Sequence, residues 1–335
     1  MQILEKISEN VVGAVALPLS VAPNFKIDDL EYLVPMCTEE SSVVAACSNG
    51  ARLVHANGGF TTTAPPDPYM TGMIQLIELD NSQRVVEHLN SQREAILSEA
   101  NRGHHHCRAT DAAATVLGPD SAVLTVRVSV GDSMGANAIN RMMEAVGRWL
   151  DVAPGRVLCR ILSNDAKGRV YTASATLSGS GEDRGRLGDL SRAFELAQAL
   201  PERAVTHNKG IMNGVIAVAM ASGQDTRAIE AANHLYAGSG GQYKPLSRCV
   251  VTESADTTTL TITVDVACPI GVVGGLTTFH PACRAALGLL PETTADCLGR
   301  TMACAGLASN IAALRALVGV GINAGHLRLH DKKKG

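Results

Sequence analysis

The chain has 335 residues, 46% of them apolar, and 29 basic side chains stand against 32 acidic ones for a net charge of -3. That length fits two domains, or one large domain with an insertion, and it suffices for a sizeable core. Aromatics at 3% and the lack of a basic excess argue against nucleic acid as a partner, which calls for a cationic face and stacking rings.

The opening segment, MQILEKISENVVG, has no apolar stretch of the secretory kind, and no apolar run of spanning length is expected anywhere. A cytoplasmic protein without membrane contact is therefore expected. DDLEYLVPMCTEE reads as extended or irregular, and SSVVAACSNGARLV as a helix of small residues capped by Ser41 or Ser42. GGFTTTAPPDPYMTG, rich in Gly, Thr and Pro, reads as a linker or crossover.

From about residue 72 the texture changes. MIQLIEL alternates like a strand, and NSQRVVEHLNSQREAILSEANRG reads as one amphipathic helix. HCRATDAAATVL and SAVLTVRVSV are strands joined at GPD, SMGANAINRMMEAVGRWLDV is a helix, and GRVLCRIL is a last strand. The order β-α-β-β-α-β is the ferredoxin-like, split βαβ arrangement. It predicts a small domain over 67–165, inserted between two parts (1–66 and 166–335) of a large helix-rich domain. The fold class is α+β, with the large domain built around a β-hairpin and a central helix.

In the second part, LGDLSRAFELAQALPERAV reads as a helix ended at Pro201, HNKGIMNGVIAVAMASG as a very apolar helix, and DTRAIEAANHLYAG as a helix capped by Asp225. SRCVVTES and TTLTITVDV form a hairpin, ACPIGVVGGLTTFHP a glycine-rich turn, and PACRAALGLL and TTADCLGRTMACAGLASNIAALRALVGVG two apolar helices. Nine cysteines, an odd number without a CxxC pair, read as free thiols of a reducing compartment.

Several side chains invite chemistry, and each has a plainer reading. Lys209 begins an apolar helix with Asn213 one turn on, as an electrophile facing a carbonyl oxygen would, or as a lysine snorkelling to water. Glu39 and Glu40 precede a helix; they favour its dipole, or one acts as an acid if burial or a like charge raises its pKa. GDSMGANAIN, with Asp132 before a glycine turn and a helix, suits an anion held on backbone N–H groups. His104, His105 and His106 alternate in direction and so do not close a metal site; none is expected. His326 follows a glycine near the end of the sequence, as a hinge or surface histidine.

Taken in order, ENVVGAVALPLSVAPNF, YLVPMCTEESSVVAACSNGARL, GGFTT, GDSMGAN, RILSN, THNKGIMNG, ASGQDTRAIEA, VVGGLTTFHP and GINAGHLRLH closely resemble the class II 3-hydroxy-3-methylglutaryl-CoA (HMG-CoA) reductases over about residues 9–330. The resemblance implies a catalytic set of Glu40, Lys209, Asp225 and His326, with substrate contacts at Ser42, Arg203 and Asn213. It places the dinucleotide at Asp132, Met134, Gly135 and Asn137, with Asn164 close by. It implies two hydride transfers from NADH or NADPH that interconvert HMG-CoA with mevalonate plus coenzyme A. Lys209 would offset charge on the carbonyl oxygen, Glu40 would supply the proton, Asp225 would couple to both, and His326 would protonate the departing thiolate. It further implies a homodimer with the active site at the interface, the small domain taking the dinucleotide and the large domain the acyl-CoA. The sequence departs from the family pattern in three places. Ser41 replaces the Pro of EEPS, Ala109 stands where an Asp would hold the adenosine ribose, and the chain ends nine residues after His326, where the family continues into a C-terminal flap. A shortened member is thus expected. The alternative is a diverged relative acting on another acyl-CoA or carrier-bound thioester, without redox chemistry.

Overall fold

The computed structural model describes residues 3–319. The chain opens with strands β1 (Leu19–Ile27) and β2 (Leu30–Cys37), helix α1 (Val43–His55) and strand β3 (Phe60–Thr63). There follow β4 (Met70–Ile77), α2 (Ser82–Ser91), α3 (Arg93–Asn101), β5 (Arg108–Gly118), β6 (Ser121–Ser129), α4 (Ala136–Trp149) and β7 (Arg156–Ser163). The remainder comprises β8 (Val170–Ser180), α5 (Glu182–Ala199), α6 (Pro201–Ala221), α7 (Thr226–Gly238), β9 (Ser247–Glu253), β10 (Thr257–Ala267), α8 (Leu276–Phe279), α9 (Pro281–Leu287) and α10 (Ala295–Val318). Contacts divide these elements into two compact units, one of the chain up to Ala64 and from Val170 onward, the other Pro65–Arg169. The boundaries read from sequence, 67 and 165, lie inside that second unit.

The first unit holds a six-stranded sheet in the order β2-β1-β3-β8-β10-β9. β1 and β2 join through Asp28 and Asp29, both at positive φ, as a two-residue hairpin turn requires. The segment read as extended or irregular is strand β2. Pro35 is tolerated there because β2 is an edge strand, where a missing N–H breaks no second ladder. Three further strands went unread, β1 (Leu19–Ile27), β3 and β8. FTTT, taken for a crossover, is β3, and YTASATLSGS falls in β8, paired along its length with β10. The Ala, Ser and Thr side chains of β3 and β8 are too small to show an apolar alternation.

Helices α1, α5, α6 and α10 cover this sheet. With few aromatics available, the core relies on close backbone approach. A Cβ on Gly50 of α1 would strike the Ala308 carbonyl oxygen of α10, and one on Gly214 of α6 would strike that of Ala305. α10 is long and apolar enough to cross a bilayer by length and composition, contrary to the expectation that no run would qualify. Its residues 297–312 are nearly all buried within the unit, which makes it the core helix.

The second unit holds an antiparallel sheet in the order β5-β6-β4-β7, the strand order of the split βαβ arrangement. The helix expected over 81–103 is broken at Gln92 (φ -94°, ψ 15°) into α2 and α3.

Gly214→Ala should destabilise the protein by about 1–3 kcal/mol through overpacking against α10. Gly210→Ala, on the same helix but with open space at its Cβ, should be neutral or stabilise by up to about 1 kcal/mol. Urea unfolding of the two variants checks this; equal effects would refute the close approach.

Candidate active site

α6 begins at Pro201, whose missing N–H costs nothing at the first helical position. Lys209 is therefore well inside this helix and not at its start. Arg203, Thr206, His207, Gly210 and Asn213 recur at helical spacing and line one wall of a cavity of about 590 Å³. Glu40 and Ser42, in the turn between β2 and α1, line it from a second side, and Ala312, Ala313 and Leu317 of α10 give it an apolar wall.

The Lys209 ammonium lies 2.7 Å from Glu40 Oε2, across 169 residues of sequence. The two side chains are 60% and 44% exposed, so the ammonium is open to solvent on one side. No described element covers that stretch of α6, and the pair is a half-open contact on the cavity wall. Lys209, Glu40 and Asn213 also line a second cavity of about 400 Å³ together with Glu39, Glu230 and His234. Burial raises the Glu230 carboxyl above its ordinary range, and His234 opposes that rise.

Ser42 is the α1 N-cap by position, in left-handed backbone at φ 78°, but its side chain does not cap the helix. That corrects the reading of a hydroxyl cap and leaves Ser42 as a cavity-lining residue. Arg203 forms no ion pair among the described residues, and burial pushes its guanidinium down. A half-buried cation without a carboxylate partner is suited to an anionic group on a ligand.

Asp225 is not brought to this pair. Its carboxylate caps α7 by accepting from the Arg227 and Ala228 amides, each at 3.1 Å, and it pairs with the Arg227 guanidinium at 3.2 Å. It lines neither cavity. Helix-capping preference is satisfied locally, and among the described residues no bond couples Asp225 to Glu40 or Lys209. His326 lies outside the described residues.

The dinucleotide residues fall in the second unit. Asp132, Ser133 and Met134 form the turn after β6, and Gly135 (φ 84°) is the N-cap of α4. A Cβ on Gly135 would clash with Val130, so both conformation and space demand glycine there. α4 has no side-chain cap and no acidic residue in its first turn. Its leading N–H groups, Asn137 among them, fit a diphosphate. Arg169 Nη1 holds the turn by donating to the Ser133 carbonyl at 2.9 Å. Asn164 is exposed just after β7. Ala109 is buried in β5, its backbone bonded to the Asn101 side chain, so this position offers no group to a ribose. His104–His106 lie in the loop after α3, and no three potential metal ligands converge among the described residues. All nine cysteines are free thiols, six of them buried.

Sequence reasoning missed His207 and the apolar wall from α10. The spacing of His207 from Arg203 was the available signal; the α10 wall depends on packing between segments 100 residues apart.

A family model described as hydroxymethylglutaryl-coenzyme A reductase matches residues 1–331. The chain is 39% identical to the 3-hydroxy-3-methylglutaryl-coenzyme A reductase of Archaeoglobus fulgidus, over 99% of this chain and 77% of that protein. It is 33% identical to a probable 3-hydroxy-3-methylglutaryl-coenzyme A reductase of Borreliella burgdorferi, over 97% and 76%. Among solved structures, a 3-hydroxy-3-methylglutaryl-coenzyme A reductase from Streptococcus pneumoniae superposes with a TM-score of 0.91 at 34% identity, covering 99% of this chain and 82% of that one. A class II reductase from the same organism bound to NADPH in open conformations gives 0.89 at 35% identity, over 98% and 82%.

The wall residue His207 supplies a pH test. Burial, then the Arg203 cation, pushes its imidazole down to about 4. In the unfolded chain the ring titrates near about 6.5. Between these values the unfolded state binds the proton and the native state does not, so stability rises with pH. The contribution, up to about 3 kcal/mol, is complete above about pH 6.5 and is lost as pH falls toward about 4. Urea midpoints across that window should climb more steeply for the wild type than for His207→Phe; parallel profiles would exclude a buried neutral ring.

Proposed function

The chain belongs to the hydroxymethylglutaryl-coenzyme A reductase family, and from that premise we propose that it interconverts HMG-CoA with mevalonate plus coenzyme A by two hydride transfers, using NADH or NADPH. The observation that carries the reading is the Lys209–Glu40 contact at the wall of a cavity that also presents the unpaired Arg203 cation.

The acyl unit of this substrate has a carboxylate at one end and a thioester at the other. Arg203 takes the carboxylate, and Ser42 and Asn213 orient the chain between the walls. Lys209 faces the thioester oxygen. As the carbonyl carbon is reduced, negative charge develops on that oxygen, and a preorganised ammonium stabilises it. Glu40, 2.7 Å away, holds the ammonium in place as a carboxylate, and in its protonated form it gives that proton to the same oxygen as the hydride reaches the carbon, leaving the carboxylate. His326 protonates the coenzyme A thiolate between the two reductions; Asp225, committed to capping α7, takes no part in the proton transfers. The dinucleotide supplies the hydrides, and the Asp132–Asn137 turn with the first turn of α4 holds its diphosphate. A homodimer with the active site at the subunit interface, and a cytoplasmic location in keeping with free thiols, belong to the same proposal.

Purified protein should oxidise NADH or NADPH in the presence of HMG-CoA, followed by loss of nicotinamide absorbance. Lys209→Ala should lower turnover by about 10²–10³-fold with unfolding unchanged, since its side chain is largely exposed. Arg203→Ala should raise KM far more than it lowers kcat. A Lys209→Ala enzyme that keeps most of its activity removes this residue from the chemistry.

A further inference from the structure

One end of the second unit gathers nitrogen-bearing side chains around the turn assigned to the dinucleotide. The loop between α3 and β5 reads RGHHHC over 102–107 and contains no acidic residue. The Asn101 side chain closes it, accepting from the Ala109 amide at 2.8 Å and donating to the Ala109 carbonyl at 3.0 Å. Its far end touches the turn, with Cys107 Sγ 3.8 Å from Ser133 Oγ. His105 and His106 are exposed, and His104 is half-buried near the Arg141 guanidinium. Burial, then that cation, pushes the His104 imidazole below its ordinary range.

Arg141 lies one helical turn beyond Asn137 on the same face of α4, and both are exposed. Side chains on a helix tilt toward its N-terminus, so the Arg141 stem leads back toward the turn. A cation in these first turns works against the helix dipole. Among the described residues no carboxylate pairs with it. Glu99 is taken by Arg102 at 2.8 Å, Asp111 by Arg93 at 2.9 Å and Glu144 by Arg148 at 4.0 Å. Asp132 belongs to the turn itself. The charge at this end of the unit is therefore answered only when an anion arrives.

The two candidate dinucleotides differ in one group. NADPH carries a phosphomonoester on the 2′-oxygen of the adenosine ribose, where NADH has a hydroxyl. With the diphosphate on the turn and the first turn of α4, that ribose is the next group along the ligand. A 2′-hydroxyl calls for a carboxylate, and a 2′-phosphate for a guanidinium. We propose that Arg141, with His104 beside it, takes the 2′-phosphate of NADPH, and that the chain prefers NADPH to NADH for this reason. This rests on the functional reading above, which leaves the choice between the two dinucleotides open.

Calorimetric titration of the full chain with each dinucleotide tests this. Wild type should bind NADPH about tenfold more tightly than NADH. Arg141 is exposed on a helix, so Arg141→Ala keeps the fold. That variant should lose most of the preference, through weaker binding of NADPH alone. Arg141→Lys should recover only part of it, since an ammonium lacks the planar fork. In turnover, Arg141→Ala should raise KM for NADPH and leave kcat near that of the wild type. A further readout needs no variant: followed by NMR, the His104 ring of the wild type should take up its proton at higher pH with NADPH bound than with NADH. Equal wild-type affinities, an undiminished preference in Arg141→Ala, or a His104 titration that is the same with both dinucleotides each overturn the assignment and leave the functional reading standing. Failure of the wild type to bind either dinucleotide overturns the functional reading and this inference with it.

Discussion

The site depends on how closely α10 lies against α6 and α1. Glycines at 50 and 214 let the α10 backbone come into contact, and the carbonyls of Ala308 and Ala305 occupy the space a side chain would need. That approach fixes the rotation of α6. One stripe of the helix turns inward, with Ile211, Val215 and Val218 buried, and the adjoining stripe presents Arg203, His207 and Asn213 to the cavity. A core poor in aromatic rings thus gains rigidity from backbone proximity, and the rigidity is passed to the residues that meet the ligand.

Charge in the cavity is arranged unevenly, and the unevenness is informative. The Lys209 ammonium has a carboxylate at 2.7 Å, while the Arg203 guanidinium has none among the described residues. A paired cation keeps its position when the cavity is empty; an unpaired one gains most when an anion enters. His207 shows the same logic in a neutral group. One nitrogen is committed to Ser247, and the other is buried without a hydrogen-bond partner among the described residues. The two cavities meeting at Lys209 and Glu40 put the pair between an apolar-walled pocket and a more acidic one holding Glu39 and Glu230.

Much of this was legible in the sequence, unevenly. The strong amphipathic pattern of α4 and the capping aspartate of α7 were readable because both are local effects. β3 and β8 were not, since Thr, Ser and Ala give a sheet no apolar period, and only pairing with β10 makes β8 a strand. The break at Gln92 was likewise unread, because the apolar positions keep nearly helical spacing through it. Lys209 and Glu40 could be nominated separately from their motifs; that they touch is a fact about two segments folded together.

The sequence by itself determined the β-α-β-β-α-β order of the second unit, the residue types available for acid, cation and anion-binding roles, and the glycines without which α10 could not approach. These follow from short-range periodicity, turn chemistry and motif identity. Tertiary structure alone decided that the Lys209 ammonium is half-open and salt-bridged, that Asp225 is not brought to the Lys209–Glu40 pair, and that His207 is buried with one nitrogen unanswered. The physical reason is common to all three. Exposure, ion pairing and hydrogen-bond satisfaction depend on which distant segments a side chain meets, and no local pattern encodes that.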